Sequence, residues 1–304
     1  MKKIVCLILA GITINSAKAQ WVEHEWKVTV KVVDETGQPI AAAKASVGYF
    51  SKSQPASIDG LTDTNGIFTA SHHAYSGILG FTAEKAGYYI TRMPSYELGF
   101  TYDPAKWNPT PKIILKKIGQ PIPMYAKSLN THIPDLDKPV GYDLEVGDWV
   151  GPHGKGINTD ILFTGHFDKH DDGESDFTLT VSFPNPADGL QEFTVPDEEK
   201  GSALRSRHEA PADGYQSKWV QTDNRKPGKP IETNRNLNRN YYFRVRTKVD
   251  DKGNNVSANY GKIYGDFMYF KYFFNPTPND RNVEFDPKHN LSKNLNAFEG
   301  VSEP

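Results

Sequence analysis

The stretch GLTDTNGIF at residues 60–68 decides how the first third of the chain is interpreted. Asp63, Asn65 and Gly66 lie between two short apolar runs, and all three residue types favour tight turns. Asn65 and Gly66 can take the positive φ angles that a two-residue hairpin needs, and Asp63 can accept hydrogen bonds from amides of the same turn. We therefore predict a hairpin here, with Phe68 anchoring its second strand in a core.

The sequence around this turn has the pattern of short β-strands. In WKVTVKVVD, residues 26–34, apolar and polar residues alternate, which predicts a strand with one buried face. Further extended runs occur at 41–50, 77–90 and 111–117. The number and spacing of these runs predict a small β-sandwich.

Four pieces of this region, in order along the chain, resemble the carboxypeptidase regulatory-like domain, also called transthyretin-like or prealbumin-like. The matching residues are Asp34, Gly37, Pro39, Ala45, Val47, Gly60, Thr62, Asp63, Asn65, Gly66, Phe68, Lys85, Gly87 and Tyr88. The resemblance covers residues 26–118 and implies a transthyretin-like sandwich. It also implies a non-catalytic accessory role, although a fold by itself does not fix a function.

The N-terminus has the features of a secretory signal peptide. Lys2 and Lys3 precede a mostly apolar run that is too short to span a membrane, and an Ala-Lys-Ala cleavage motif ends at Ala19. We predict a signal peptide over residues 1–19, cleaved after Ala19, and hence a secreted or periplasmic protein. No later apolar stretch reaches the length of a membrane span.

Cleavage at this point changes the charge and the cysteine content. It removes three of the 35 basic residues and none of the 37 acidic ones, so the mature chain has a net charge of about −5. Such a charge argues against nucleic acid as a partner. It also removes Cys6, the only cysteine, so the mature protein has neither a disulfide nor a thiol nucleophile.

The chain divides, by sequence, into residues 20–118, a proline-stiffened linker at 119–125, and residues 126–304. We predict an all-β protein in which the transthyretin-like β-sandwich is followed by a larger antiparallel β-sandwich of unknown family. The strand candidates in the second part are 159–167, 176–183, 217–222, 241–249 and 260–274.

Between these strands the sequence predicts turns and loops. The polar stretch 250–257 predicts a hairpin turn between the last two strand candidates. Residues 184–214 and 223–240 are predicted to be long loops, and 291–299 is the one segment with the pattern of a short helix.

The most suggestive polar cluster is GHFDKHDDGESDF at 165–177. Calcium prefers oxygen ligands, and acids at alternate positions around a glycine turn can converge on one ion. The spacing therefore makes calcium a possible cofactor, with Asp168, His170, Asp172 and Asp176 as candidate ligands, although His170 stands in place of an acid and the favoured interpretation is a solvated hairpin turn. Two alternatives stay open: a transition-metal site on one strand face that includes His166, and a solvated hairpin turn without a metal.

The last strand candidate, 260–274, is rich in aromatic residues. As one strand, it would place Ile263, Phe267, Tyr269 and Phe273 on one face and Tyr264, Met268, Phe270, Tyr272 and Phe274 on the other. A strand that is apolar on both faces is typical of a buried core. The alternative is an aromatic platform that stacks on sugar rings.

Recognised catalytic motifs are missing from the sequence. It has no G-x-S-x-G and no H-E-x-x-H, and GPHGKG at 151–156 fails the phosphate-loop pattern. We therefore expect a non-catalytic binding or structural protein that engages a polysaccharide or an envelope protein. The alternative is a hydrolase or lyase on an extracellular polysaccharide, with paired carboxylates drawn from residues such as Asp143, Glu145 and Asp148.

Overall fold

The computed structural model describes residues 24–50, 55–74, 79–94, 108–130, 132–170, 172–236 and 238–304. The predicted signal peptide, Cys6 and most of the proline-bearing stretch at 94–110 lie outside these ranges. The protein is all-β, as predicted. The described strands are β1 His24–Asp34, β2 Lys44–Phe50, β3 Pro55–Leu61, β4 Ile67–Ala74, β5 Leu79–Glu84, β6 Thr91–Pro94, β7 Lys112–Leu115, β8 Tyr125–Asn130, β9 Val140–Asp143, β10 Asp148–Trp149, β11 Ile161–Lys169, β12 Ser175–Ser182, β13 Gly189–Thr194, β14 Lys218–Arg225, β15 Glu232–Thr233, β16 Arg239–Val249, β17 Asn255–Asp266 and β18 Tyr269–Phe274.

The first seven strands form two facing sheets. One has the order β4-β1-β7 and the other the order β3-β2-β5-β6. β1 pairs antiparallel with β4 and parallel with β7. The predicted alternation of β1 is confirmed, because Trp26, Val28, Val30 and Val32 are all buried in the core between the sheets.

The stretch 60–68 makes a turn, but the predicted hairpin is wrong. β3 pairs with β2 and β4 pairs with β1, so the turn carries the chain from one sheet to the other. Asp63 Oδ1 accepts hydrogen bonds from the amides of Asn65 and Ile67, both at 2.9 Å, as expected of a turn aspartate. Of the Asn-Gly pair, only Gly66 has a positive φ, at +73°.

Gly66 is required at this corner for a second reason. Its carbonyl accepts a 2.7 Å hydrogen bond from the amide of Val32 on β1. A Cβ at position 66 would lie 2.3 Å from the carbonyl oxygen of Val32, which is closer than atoms can approach. Phe68 is half-buried and packs over Gly60, where a Cβ would lie 2.2 Å from the Phe68 ring.

The remaining eleven strands form a larger sandwich in which all strand pairs are antiparallel, as predicted. A six-stranded sheet has the order β10-β9-β11-β12-β14-β15, and a five-stranded sheet has the order β13-β16-β17-β18-β8. Their inner faces pack together. Phe163 and Leu179 from the first sheet contact a core that includes Phe243, Ile263 and Tyr272 from the second.

Several predicted elements of this part are confirmed. The candidates 159–167, 176–183, 217–222 and 241–249 correspond to β11, β12, β14 and β16. The polar turn after β16 is also present, and Asp250 Oδ1 holds it by accepting from the amides of Lys252 and Asn254.

Other predictions for this part are wrong. The segment 260–274 is not one strand, because Phe267 and Met268 form a two-residue turn between β17 and β18. The reversal puts Ile263 and Tyr272 on the same face and Phe273 on the opposite one, contrary to the predicted faces.

The helix and loop predictions also need correction. Residues 291–299 contain no helix: residues 297–299 form a turn, the amide of Leu291 donates to the carbonyl of Met124, and the carbonyl of Glu299 accepts from the amide of Ser128 on β8. In the described ranges, the helical residues are limited to two 3-10 turns, at Asp197–Glu199 and Pro287–His289. The predicted loop 184–214 contains β13, and the predicted loop 223–240 contains the end of β14 and all of β15.

The outer face of the five-stranded sheet is covered by later segments of the chain. Val301 and Phe285 pack on Tyr264 and Phe273. The two faces of this sheet are therefore both buried at its centre, which explains why its central strands, β16, β17 and β18, together carry aromatic residues on both faces.

The first and second pairs of sheets contact each other directly. The amide of Arg92 donates to the carbonyl of Gly201 at 2.8 Å, so residues 201–203 extend the edge at β6. The Tyr89 hydroxyl donates to the buried Glu284 carboxylate at 2.6 Å. The predicted linker 119–125 is packed as well, since Ile122 exchanges backbone hydrogen bonds with residues 284–286.

Candidate functional site

A polar cleft of about 450 Å³ lies where the two sandwiches meet. The residues that bear on its chemistry are Lys116, Phe193, Glu199, Arg205, Arg207 and Tyr242. Its volume lies within the usual range for ligand sites, which is about 300 to 1,000 Å³.

Lys116 comes from the first sandwich, directly after β7. Its side chain is buried, and its ammonium contacts the Glu199 carboxylate at 2.8 Å and the carbonyl of Ser206 at 3.2 Å. A buried charge needs such partners to offset the loss of water. Lys116 therefore ties the first sandwich to the segment that forms the opposite wall.

That wall is the segment 204–208. Burial alternates along it, with Leu204 and Ser206 buried and Arg205 and Arg207 exposed. Both arginines line the cleft, whereas the Ser206 side chain between them contacts the buried Lys262.

Two buried tyrosines from the five-stranded sheet hold this segment in place. The hydroxyl of Tyr264 accepts from the amides of Arg205 and Ser206, both at 3.2 Å, and the hydroxyl of Tyr242 accepts from the amide of Arg207 at 2.8 Å. Burial raises the pKa of Tyr242 to about 12, so its phenol stays protonated at neutral pH. The arginines thus stand on a fixed backbone.

The side chain of Ser206 also contacts the five-stranded sheet, through Lys262 on β17. The fully buried Lys262 places its Nζ 3.2 Å from Ser206 Oγ, and burial lowers the pKa of this amine well below its ordinary value. The Lys262 Nζ also lies over the rings of Tyr264 and Phe273, about 5 Å from each ring centroid.

The cleft combines aromatic and acidic groups with these cations. The rings of Phe193 and Tyr242 stack with their centroids 4.4 Å apart. Glu192 and Glu35 also line the cleft; Glu192 forms an ion pair with Arg239 at 3.0 Å. The arrangement is suited to binding a polar ligand, because it offers charged groups, hydrogen-bonding groups and a concave shape together.

The predicted calcium ligands lie at the hairpin between β11 and β12, but they do not surround a common point. Asp168 and Asp176 are cross-strand partners, His170 Nε2 lies 3.2 Å from Asp176 Oδ2, and Asp172 Oδ1 accepts from the amide of Glu174. Across the described residues, no group of three or more potential ligands is arranged to hold a metal ion. The calcium site stays a prediction.

His166, the additional residue of the transition-metal alternative, lies on β11. Its Nδ1 contacts Asp137 and its Nε2 lies 2.8 Å from Asp168 Oδ2. The hydrogen bond to Asp137, followed by the one to Asp168, raises the pKa of His166. The ring nitrogens therefore face two carboxylates, Asp168 of the hairpin and Asp137 of the segment between β8 and β9.

The carboxylates named as catalytic candidates have structural partners. Burial alone would raise the pKa of Asp143, but hydrogen bonds from four backbone amides outweigh it and leave the pKa lowered. Glu145 contacts Arg246 at 2.6 Å, and Arg246 also binds the buried Asp160 at 2.8 Å. Asp148 caps the glycine-rich loop by accepting from the amide of Lys155.

The aromatic residues at 260–274 serve the core. Phe267, Phe270, Tyr272, Phe273 and Phe274 are buried, whereas Tyr269 is exposed. The core interpretation is confirmed, and this segment presents no row of exposed rings that a sugar chain could stack on.

Gly156 in the glycine-rich loop 151–156 is explained by close packing of the backbone. A Cβ at this position would lie 2.7 Å from the carbonyl oxygen of Asp148.

Sequence reasoning missed the residues of the cleft. Arg205 and Arg207 were part of a predicted loop, and Lys116 was part of a predicted strand. The alternation of Leu204, Arg205, Ser206 and Arg207 was an available signal for a segment with one buried and one charged side.

Comparisons with known proteins give no family for this chain. No family model matches the sequence, and no curated protein matches it. Among solved structures, a DUF3823 family protein from Parabacteroides merdae is 8% identical, with a TM-score of 0.21 over 73% of this chain and 90% of that one. The shaft pilin SpaA from Lactobacillus rhamnosus GG is 10% identical, with a TM-score of 0.20 over 80% of this chain and 93% of that one.

In the described part of the chain, no helix has the length and hydropathy needed to cross a membrane.

Proposed function

We propose that this protein is an exported, non-catalytic binding protein that holds a polysaccharide chain in the cleft between its two sandwiches. The observation that carries the proposal is the cleft itself, with Lys116, Arg205, Arg207 and Tyr242 on its walls. Export to the periplasm or the cell exterior rests on the predicted signal peptide at residues 1–19.

The first sandwich has a supporting role in this proposal. We assign it to the carboxypeptidase regulatory-like domains on the strength of its motif residues. Its contribution to the site is Lys116, which fixes Glu199 and the wall carrying the arginines through contacts of 2.8 and 3.2 Å. The ligand would then meet a cleft whose shape depends on both sandwiches.

A binding role agrees with the contacts of the acidic side chains in the cleft, each of which lies close to a basic side chain. Glu199 is held by Lys116 and Glu192 by Arg239, while Glu35 lies 3.7 Å from a nitrogen of His208. A hydrolase needs one carboxyl group free to donate a proton and a second free to attack or to activate water. These contacts favour binding over that chemistry.

A glycan array with the mature chain, residues 20–304, tests the proposal. Thr194→Trp should abolish binding, because Thr194 is exposed and lines the cleft, so an indole there would fill it. Thr64→Trp is the matched control, since Thr64 is exposed on the turn between β3 and β4. Binding that survives Thr194→Trp would place the ligand elsewhere and contradict the proposal.

The same preparations address the enzymatic alternative. Each bound glycan is incubated with the protein, and the products are separated by size. Accumulation of shorter chains that is lost in Thr194→Trp would establish a hydrolase or lyase at the cleft instead of a binding protein.

A further inference from the structure

We infer that the polysaccharide bound in the cleft is acidic, and that Arg205 and Arg207 bind its carboxylate groups. This inference rests on the proposed function and specifies the chemical class of the ligand. It starts from the position of the two arginines. They are exposed, they both line the cleft, and only the buried Ser206 lies between them in the chain.

The two guanidinium groups differ from four of the six other arginines of the second sandwich; of the remaining two, Arg244 donates to the backbone carbonyls of Ala187 and Ala212, and Arg225 is exposed outside the cleft. Arg235, Arg239, Arg246 and Arg281 each form an ion pair with a carboxylate. Over the described ranges of the chain, Arg205 and Arg207 have no such partner. The Arg205 guanidinium lies over the Tyr264 ring at 5.4 Å, and the acid that it influences, Glu303, is already bound by Lys271.

Other charges of the cleft do not occupy the arginines. Glu199 is neutralised by Lys116 and Glu192 by Arg239. The two guanidinium groups are therefore the cations of the cleft that remain available for a ligand. A guanidinium presents two parallel N–H groups that match a carboxylate, and this geometry favours a carboxylate-bearing ligand.

The backbone that carries the arginines is organised before a ligand arrives. Their amides donate to the hydroxyls of Tyr264 and Tyr242, and the carbonyl between them accepts from Lys116. Fixing the binding groups in advance lowers the entropy lost on binding. An exposed arginine pair without a partner, held this firmly, is poorly explained by folding alone.

The remaining lining suits the rest of a sugar acid. Thr194 and Gln191 offer neutral groups that can bond hydroxyls, and Gln191 Oε1 has no hydrogen-bond partner within the described chain. The net charge of about −5 for the mature chain argues against nucleic acid as the source of the anion. We therefore assign the class as uronate-containing oligosaccharides.

The test uses isothermal titration of the mature chain with a panel of oligouronates built from galacturonate, glucuronate or mannuronate. Each acid is compared with its methyl ester, which keeps the sugar and removes the charge. We expect at least one acid to bind ten times more tightly than its ester. Arg205→Gln with Arg207→Gln should remove that difference, and higher salt should weaken binding of the acid more than of the ester.

Arg225→Gln is the control variant, because Arg225 is exposed at the end of β14 and does not line the cleft. Acid and ester that bind equally, through a site blocked by Thr194→Trp, would overturn the acidic ligand and keep the proposed function. Tighter binding of a sulfated oligosaccharide or inorganic phosphate than of any uronate would overturn the carboxylate assignment. Binding of no oligosaccharide, charged or neutral, would overturn the proposed function as well.

Discussion

Replacing Gly66 by alanine should destabilise the protein by about 3 kcal/mol. Two costs add. Gly66 has a φ of +73°, and a residue with a Cβ pays about 1–2 kcal/mol in that conformation. The new Cβ would also meet the Val32 carbonyl oxygen at 2.3 Å and the Ile40 amide nitrogen at 3.1 Å, so the backbone must shift, as in overpacked cores, where the cost is about 1–3 kcal/mol.

Gly37→Ala separates the two costs. Gly37 also has a positive φ, +83°, but a Cβ there would have no atom within 4 Å. Only the conformational cost then applies, and it is partly offset because alanine reduces the entropy of the unfolded chain by about 0.4–1 kcal/mol. We expect a loss of about 1 kcal/mol or less for this variant.

Urea unfolding of a chain of residues 20–304 measures both variants. It is followed by tryptophan fluorescence, to which the buried Trp26 contributes from the first core. The informative quantity is the difference in the free energy of unfolding between Gly66→Ala and Gly37→Ala, expected to be about 2 kcal/mol. Equal losses in the two variants would refute the argument that Gly66 is needed for the close approach of the turn to β1.

Three further predictions concern buried charges, the contact between the sandwiches and the β11–β12 hairpin. Arg246→Met should cost about 3–5 kcal/mol at pH 7, because it leaves the buried Asp160 charged and unpaired. Burial already raises the pKa of Asp160, so the folded variant binds a proton more tightly than the unfolded chain and regains stability as the pH falls from 7 to 5. Tyr89→Phe should cost about 1.5–3 kcal/mol by removing the hydrogen bond to the Glu284 carboxylate, as measured by urea unfolding. If the hairpin at 168–176 binds calcium, the ion at ten times its Kd should stabilise the protein by about 1.4 kcal/mol in a thermal melt.

Each of these predictions has its own contradicting result. An equal loss at pH 7 and pH 5 for Arg246→Met would show that Asp160 does not take up a proton. Tyr88→Phe is the control for Tyr89→Phe, because the neighbouring tyrosine is half-buried; equal losses would remove any special role of the Glu284 contact. A melting temperature that is the same in calcium and in chelator would eliminate the calcium site.

Local chemistry predicted the strands well because their signals lie within a few residues. The alternation of β1 follows from burying one face of a pleated chain, and Asp63 bonds its own turn because its side chain reaches only nearby amides. Which sheet β4 joins is a different kind of question. It depends on pairing between β1 and β4, more than thirty residues apart, and the turn sequence at 60–68 is compatible with a hairpin and with a corner.

In the aromatic segment at 260–274, a buried turn was predicted as part of one continuous strand, because residues at its tip are apolar. Gly265, with a φ of +100°, and Asp266, whose Oδ1 accepts from the amides of Met268 and Tyr269, are turn residues by type, but Phe267 and Met268 at the tip pack in the core. Turn residues are usually polar because turns are usually exposed. Here the turn is packed against the facing sheet through Phe267 and Trp219, so apolar residues follow Gly265 and Asp266 and the segment has the pattern of one continuous strand.

The cleft was beyond sequence reasoning because its parts acquire meaning only through contacts between distant segments. Lys116 follows an apolar strand, and its buried ammonium group is explained only by the ion pair with Glu199, more than eighty residues later. An exposed arginine pair looks the same in a flexible loop as on a fixed wall. What separates the two is the pair of buried hydroxyls, from Tyr242 and Tyr264, that binds the backbone between them. Since both tyrosines lie on the outer face of a sheet, their hydroxyls require partners, and the segment at 204–208 satisfies them while presenting its charges to the cleft.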